Sequence, residues 1–230
     1  MSFKILYVSA TLTEADILKK IRNIIQVPGG YNVGDLEIST LVSGVGSIAT
    51  SWAMKQWISV NEKPDLVINC GIAGSYRDEF IIGDVVMPVS DCFADAGIEN
   101  ANGFLTLHEA GLIGASEFPF KDGLLLADDR YSAVIKHIIK PARAITVNTA
   151  TGTAATIERL IKKFNPDIET MEGATFFYIC TRENLPFMAL RAISNRVEPR
   201  DKSKWDITLA LNNLSERLNE VIVQLTQSDG

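Results

Sequence analysis

Residues 64–74 read Pro64-Asp65-Leu66-Val67-Ile68-Asn69-Cys70-Gly71-Ile72-Ala73-Gly74. Leu66-Val67-Ile68 is a short apolar run introduced by Pro64-Asp65, and such a run suits a strand buried on both faces. Two glycines and an alanine follow it. At a strand's exit they let a flat ligand approach the backbone closely, or they simply form a glycine turn. Toward the N-terminus, 3–8 and 36–42 read as strands. Ala15, Leu18, Ile21 and Ile25 recur at helical spacing, and 47–60 reads as a helix with Ile48, Trp52 and Trp57 among its apolar positions. Toward the C-terminus, Val-rich 84–93 reads as a strand. Segment 95–124 holds Gly97, Gly103, Gly111, Gly114 and Gly123 without a sustained period, which predicts a loop-rich excursion. Helices are expected over 129–140 and 153–164, and strands over 144–148 and 187–193. Ile207, Leu211, Leu214, Leu218, Val221 and Leu225 form the apolar stripe of a last helix. The alternation predicts an α/β fold: one three-layer αβα domain over 1–230, with a central mixed, mostly parallel sheet. Ligands belong where loops leave the carboxyl ends of its strands.

The composition narrows the function. Of 230 residues, 28 are acidic and 22 are Lys or Arg, a net charge of −6; 47% are hydrophobic and 22% charged. A disordered or collagen-like chain is excluded. The acidic balance argues against nucleic acid or an anionic membrane surface as partner. No run of 18 apolar residues occurs, so no transmembrane helix is expected. Met1-Ser2-Phe3-Lys4-Ile5 runs straight into a strand-like segment without a signal-peptide pattern. Cys70, Cys92 and Cys180 are odd in number, far apart and never CxxC, which points to reduced core thiols in a cytoplasm rather than disulfides or a zinc site. His108 and His137 have no metal-ligand spacing. His137 reads as a surface residue and His108 as a solvated loop residue. No metal or cofactor is expected.

Five segments carry the chemistry. Gly44-Val45-Gly46-Ser47-Ile48-Ala49 fits GxGxxA, but Asp65 stands before the next strand, where it cannot hold a ribose hydroxyl. A glycine turn, or a loop whose N–H groups face a polar ligand, fits better. Ala73 and Gly74 close the 64–74 segment. Glu169-Thr170-Met171-Glu172-Gly173-Ala174 lies where a strand meets a helix. There Glu172 is either a helix-start acid favoured by the dipole or an acceptor for a ligand diol. Arg191-Ala192-Ile193-Ser194-Asn195 ends a buried strand and leads into a charged run with Arg196, Arg200, Lys202, Lys204 and Trp205. Thr11-Leu12-Thr13-Glu14 has the spacing of a capping box, which on local grounds accounts for Glu14.

In order and separation these segments resemble the nucleoside phosphorylase/hydrolase superfamily over nearly the whole chain, and the resemblance implies a nucleoside phosphorylase-like fold. Counted from Lys4-Ile5, Glu14 falls on the glutamate that activates water in methylthioadenosine/S-adenosylhomocysteine nucleosidases. Ser43-Gly44-Val45-Gly46 looks like the family's SGxG loop, Gly71-Ile72-Ala73-Gly74 like its GxAG segment, Met171-Glu172 like the pair that binds the ribose, and Arg191-Ala192-Ile193-Ser194 like its RAIS segment. Adenine nucleosidases have Asp after RAIS; this chain has Asn195, which suits a 6-oxopurine. No arginine stands near Gly44–Gly46 or Ala10–Glu14 to cradle phosphate. Ser194-Asn195 with Arg200-Asp201 and Trp205 is similar to the futalosine hydrolase subfamily. That resemblance implies an N-ribosyl hydrolase that releases hypoxanthine and dehypoxanthine futalosine from futalosine in menaquinone biosynthesis. Glu14, Asn195 and Glu172 would be catalytic, and Ala73, Gly74, Met171, Arg200 and Trp205 would bind substrate. It also implies a homodimer or larger homo-oligomer, with Phe104, Phe118 and Phe120 of the 95–124 region closing a neighbour's site. The alternatives are a nucleosidase or phosphorylase for methylthioadenosine, S-adenosylhomocysteine or inosine, and a nucleoside-binding protein without turnover.

Overall fold

The computed structural model describes residues 2–101, 103–135 and 137–228. Among them one ten-stranded sheet runs in the order β11 (Ile168–Thr170), β10 (Lys140–Thr146), β6 (Val85–Asp91), β12 (Phe187–Arg196), β5 (Leu66–Ser75), β1 (Phe3–Ser9), β4 (Leu36–Val42), β3 (Gly30–Val33), β2 (Ile25–Val27), with β9 (Leu125–Leu126) beside β6. Strands β4, β1, β5 and β12 are mutually parallel, as are β6, β10 and β11, whereas β12 meets β6 antiparallel. The sheet is thus mixed and mostly parallel, as the alternation predicted.

Burial follows the period of two along the strands. Leu6, Val8, Val67 and Ala189 pack on one face with Met54, Phe176 and Phe177, from α2 (Ser47–Val60) and α5 (Gly173–Arg182). Ile5, Tyr7, Ile68 and Leu190 pack on the other with Leu214, Leu218 and Val221 of α6 (Ile207–Ser228). Helices therefore cover both faces. None of the described helices is long and apolar enough to cross a membrane.

Strand β5 changes partner along its length. Leu66–Asn69 pair with β1, whereas Gly74 and Ser75 pair antiparallel with β11. Strand β12 follows β5 from Val67 to Ser75, with an irregularity between Ile193 and Asn195. Strands β5, β12, β6, β10 and β11 thereby close a ring, and the carboxyl ends of β1, β5 and β12 converge at one side of it.

Several expectations change. The apolar spacing from Ala15 to Ile25 is not one helix: α1 (Leu12–Ala15) passes into a 3-10 turn (Asp16–Lys20), and Ile25 opens β2. Asn23, at φ 59°, breaks the path, and the buried Ile17, Leu18 and Ile21 supply the periodicity. The 64–74 strand does not exit at Asn69 but runs on to Ser75. The 95–124 excursion contains a hairpin, β7 (Gly97–Asn100) with β8 (Gly103–Thr106). The helix expected over 129–140 is α3 (Asp129–Ile135), and Lys140 already belongs to β10, as a residue before proline favours. On α2, Ile48 and Trp52 face outward, 86% and 73% exposed. The helix expected over 153–164 is α4 (Ala154–Phe164), N-capped by Thr153.

Candidate active site

A cavity of about 190 Å³ opens where these strand ends converge, and Glu14, Ala73, Gly74, Met171, Glu172, Asn195 and Trp205 all line it. Residues up to 195 positions apart in the chain meet here because β1, β5, β11 and β12 end together.

The floor is the end of β5. Glycine there serves closeness, not a turn: a Cβ on Gly71 would stand 2.9 Å from Glu14 Oε1, and one on Gly74 would stand 2.8 Å from Val197 Cγ2 and 3.2 Å from Asn195 Nδ2.

Glu14 is buried, 7% exposed. Its Oε2 accepts from Thr11 N (2.9 Å) and Thr11 Oγ1 (2.8 Å), completing the capping box. Its Oε1 accepts from Ile72 N at 3.2 Å and faces the cavity. The two readings of this residue therefore fall on two different oxygens.

Glu172 is the N-cap residue of α5, and its Oε1 accepts from Gly46 N at 2.8 Å. Gly44 and Gly46 adopt φ of 81° and 88°, which only glycine takes up readily. The GxGxxA segment is thus a turn that delivers an N–H to Glu172. Burial pushes the Glu172 carboxyl above its ordinary range, while the Gly46 N–H and the Arg191 charge oppose the shift. Arg191 is 2% exposed. Its Nη1 donates to Asn69 O and Leu190 O, both at 3.0 Å, and its Nη2 donates to Asn69 Oδ1. Asn69 in turn donates to Val8 O at 3.0 Å, so a fixed cation lies beneath the site.

Asn195 is engaged at both ends of its amide. Its Oδ1 accepts from Ser194 Oγ at 2.8 Å and its Nδ2 donates to Arg196 O at 2.9 Å. One amide hydrogen, not two, is left for a base.

At the rim, Arg200 Cζ lies 5.5 Å from the centroid of the Trp205 ring, and Arg200 itself does not line the cavity. Arg196 is paired with Asp78 and Lys204 with Glu198, each at 2.8 Å, whereas Arg200 and Lys202 carry no ion pair among the described residues.

Sequence reasoning missed two features. Glu169 lines the cavity, held by Thr151 and Tyr76. It stands three residues before Glu172 at the same strand–helix junction, which was the available signal. Asp91 lies beneath α5: its Oδ1 accepts from Cys92 N and Thr146 Oγ1, and its buried Oδ2 has no partner among the described residues. A Cβ on Gly173 would stand 2.2 Å from that oxygen. Burial pushes the Asp91 carboxyl up to about 7. His108 lies away from the site, half-buried against Phe120 at 4.8 Å between ring centroids rather than solvated. His137 is exposed and the three cysteines are buried and free. Among the described residues no group of three or more His, Cys, Asp or Glu could hold a metal.

The cavity lining includes three carboxylates, Glu14, Glu169 and Glu172, and no Lys or Arg. Residues 29–227 match the family described as the phosphorylase superfamily. The chain belongs to that superfamily. A futalosine hydrolase from Streptomyces coelicolor is 30% identical over 85% of this chain and 80% of the relative. One from Acidothermus cellulolyticus is 33% identical over 93% of this chain and 88% of the relative. The native structure of futalosine hydrolase of Helicobacter pylori shares the fold, with a TM-score of 0.78 at 17% identity over 97% of this chain and 99% of that one. Within the superfamily the chain is a nucleosidase-class enzyme, a hydrolase of nucleoside N-glycosidic bonds.

Proposed function

We propose that this enzyme hydrolyses the N-glycosidic bond of futalosine, releasing hypoxanthine and dehypoxanthine futalosine, as a step of menaquinone biosynthesis. One observation carries the reading: Asn195 shares a cavity with Glu14 and Glu172, Trp205 and Arg200 stand at its mouth, and no cation lines it.

In the mechanism the bond to the purine lengthens first, and the ribose takes on positive charge. Glu172 accepts from the ribose hydroxyls and tolerates that charge, with Met171 packed on the sugar. The purine lies beside Ala73 and Gly74, which line the cavity next to Asn195. Asn195 donates its remaining amide hydrogen to the departing hypoxanthine, and the bond strengthens as the base becomes an anion. Glu14, anchored through Oε2, uses Oε1 to take a proton from water as the water oxygen bonds the anomeric carbon. Arg200, free of any carboxylate partner among the described residues, takes the carboxylate of the substrate's 5′ side, and Trp205 lies against its ring.

Three acids around the reacting centre would repel phosphate, which supports water as the nucleophile. We further read residues 1–230 as one domain of a cytoplasmic homo-oligomer. The outward-facing Ile48 and Trp52 of α2 support association, which sedimentation would measure.

The deciding experiment mixes the protein with futalosine, inosine and methylthioadenosine, each with and without phosphate. Hypoxanthine and free sugar should form from futalosine in phosphate-free buffer. A sugar 1-phosphate, or preference for methylthioadenosine, would overturn the assignment.

A further inference from the structure

Three neighbouring strands end on one spot beneath α5. Asp91, Thr146 and Thr170 are the last residues of β6, β10 and β11, which lie side by side in the sheet. All three are buried, Asp91 to 1% exposure. Thr146 and Thr170 are register partners, so their side chains meet. Helix α5 starts over them at Gly173.

A hydroxyl has one hydrogen, and that fixes the direction of each bond here. Thr146 Oγ1 donates its hydrogen to Asp91 Oδ1 (3.0 Å) and accepts from Ala174 N (2.7 Å). Its 3.2 Å contact with Thr170 Oγ1 therefore runs from Thr170 to Thr146. Thr170 Oγ1 in turn accepts from Gly173 N at 3.2 Å. The start of a helix leaves its first N–H groups without internal partners. In α5 those of Gly173 and Ala174 are answered by two threonines whose own hydrogens lead to Asp91.

Glu172 is the N-cap residue of α5. A side chain at that position ordinarily turns back to accept from the second or third N–H of its helix. Glu172 makes no such bond and reaches Gly46 N instead. The second N–H is that of Ala174, already taken by Thr146. Glycine at 173 lets the helix settle onto this relay, since a Cβ there would collide with Asp91 Oδ2 and Thr170 Oγ1.

We propose that Asp91 is a positioning residue: through Thr146 and Thr170 it caps α5 in place of Glu172, and so releases the Glu172 carboxylate into the cavity for the sugar. The value of that release to the reaction rests on the role given to Glu172 above.

The test is the crystal structure and the kinetics of Thr146→Val, which keeps the side chain's shape and removes its hydroxyl, with wild type as reference. The freed Ala174 N–H should draw Glu172 away from Gly46 N and into the cap. On futalosine kcat/KM should fall ~5-fold, the size of one hydrogen bond, with KM raised. In a Glu172→Ala background the same substitution should cost less than ~2-fold, because a relay acting through Glu172 has nothing left to act on, whereas a purely structural loss adds in full. Asp91→Asn keeps the acceptor for Thr146, so Glu172 should stay on Gly46 N and turnover should stay within ~2-fold of wild type. Asp91→Ala should behave as Thr146→Val does; should it not fold, Thr146→Val decides alone. Glu172 still on Gly46 N in Thr146→Val would overturn the proposal, and so would an equal loss with and without the Glu172 side chain. Glu172 in the cap with unchanged kinetics would keep the relay and reject the role of Glu172 in the reaction. If wild type releases no base from futalosine, that substrate is rejected and the variant's crystal structure still decides the relay.

Discussion

The groove between α2 and α5 has a volume of about 800 Å³, and the cavity at the strand ends about 190 Å³. The groove is built from Ile48, Trp52, Phe93 and Tyr178, and its charged groups are already answered: Lys55 pairs with Glu183, and Arg182 lies over the rings of Phe118 and Tyr178. In the smaller cavity each carboxylate is held by a backbone N–H: Glu14 by Thr11 and Ile72, Glu169 by Thr151, Glu172 by Gly46. Backbone dipoles fix an anion without neutralising it, so the charge stays available to a substrate. Volume records where side chains are missing, whereas reactivity records where charge is held in place.

The contrast breaks if the acids can be removed without cost. Glu14→Gln should lower turnover at least ~100-fold while substrate still binds, since the amide keeps the shape but takes no proton. Rates near wild type in a stopped assay for released hypoxanthine would leave Glu14 only its capping role.

Glu172→Gln should raise KM and lower kcat together, reducing kcat/KM ~10- to 100-fold through loss of a charge-assisted acceptor for the diol. A change confined to kcat would move Glu172 away from ground-state binding.

Smaller still is the effect at the rim. Arg200→Ala should reduce kcat/KM on futalosine by about 10-fold and leave inosine, which lacks the carboxyphenyl group, unaltered. Equal losses on both substrates would mean that Arg200 merely supports Trp205.

The mildest expected change in turnover is at Asp91. An unfolded chain gives up this proton near its ordinary value of 3.8, and the folded protein keeps it to about 7. Between those values the native state binds more protons than the unfolded state, so stability falls as pH rises through the window and the loss is complete above it. At ~1.4 kcal/mol per unit, the contribution is on the order of 4 kcal/mol. Thermal unfolding at several pH values should show Asp91→Asn flattening this slope. Parallel melting curves for wild type and variant would place the proton elsewhere.

Sequence carried the frame of this molecule through local signals. Leu66-Val67-Ile68 announced a strand buried on both faces, and the stripe from Leu211 to Leu225 announced α6. What stayed hidden was non-local. Gly46 meets Glu172 across 126 positions, and Thr151 meets Glu169 because β11 lies parallel beside β10, whose end leads to Thr151. No spacing rule reports such pairings, so Glu169 had no visible role and the extent of Asn195's engagement was overlooked. Periodicity also names apolar residues without saying what covers them, which is why Trp52 looked like core and is 73% exposed. In the Thr11–Ile25 segment the cap at Thr11 was legible, but the left-handed Asn23 that divides helix from strand is a backbone state Asn takes only occasionally.

The pairing of β5 with β12 has a consequence for synthesis on the ribosome. Strand β12, the central neighbour of β5, is encoded at Phe187–Arg196, more than a hundred residues after it. Until that segment emerges, β5 keeps an open edge along which no later strand has yet docked, and open edges recruit strands from other chains. The N-terminal part of the nascent chain must therefore wait, with that edge of β5 uncovered, for a strand encoded more than a hundred residues later.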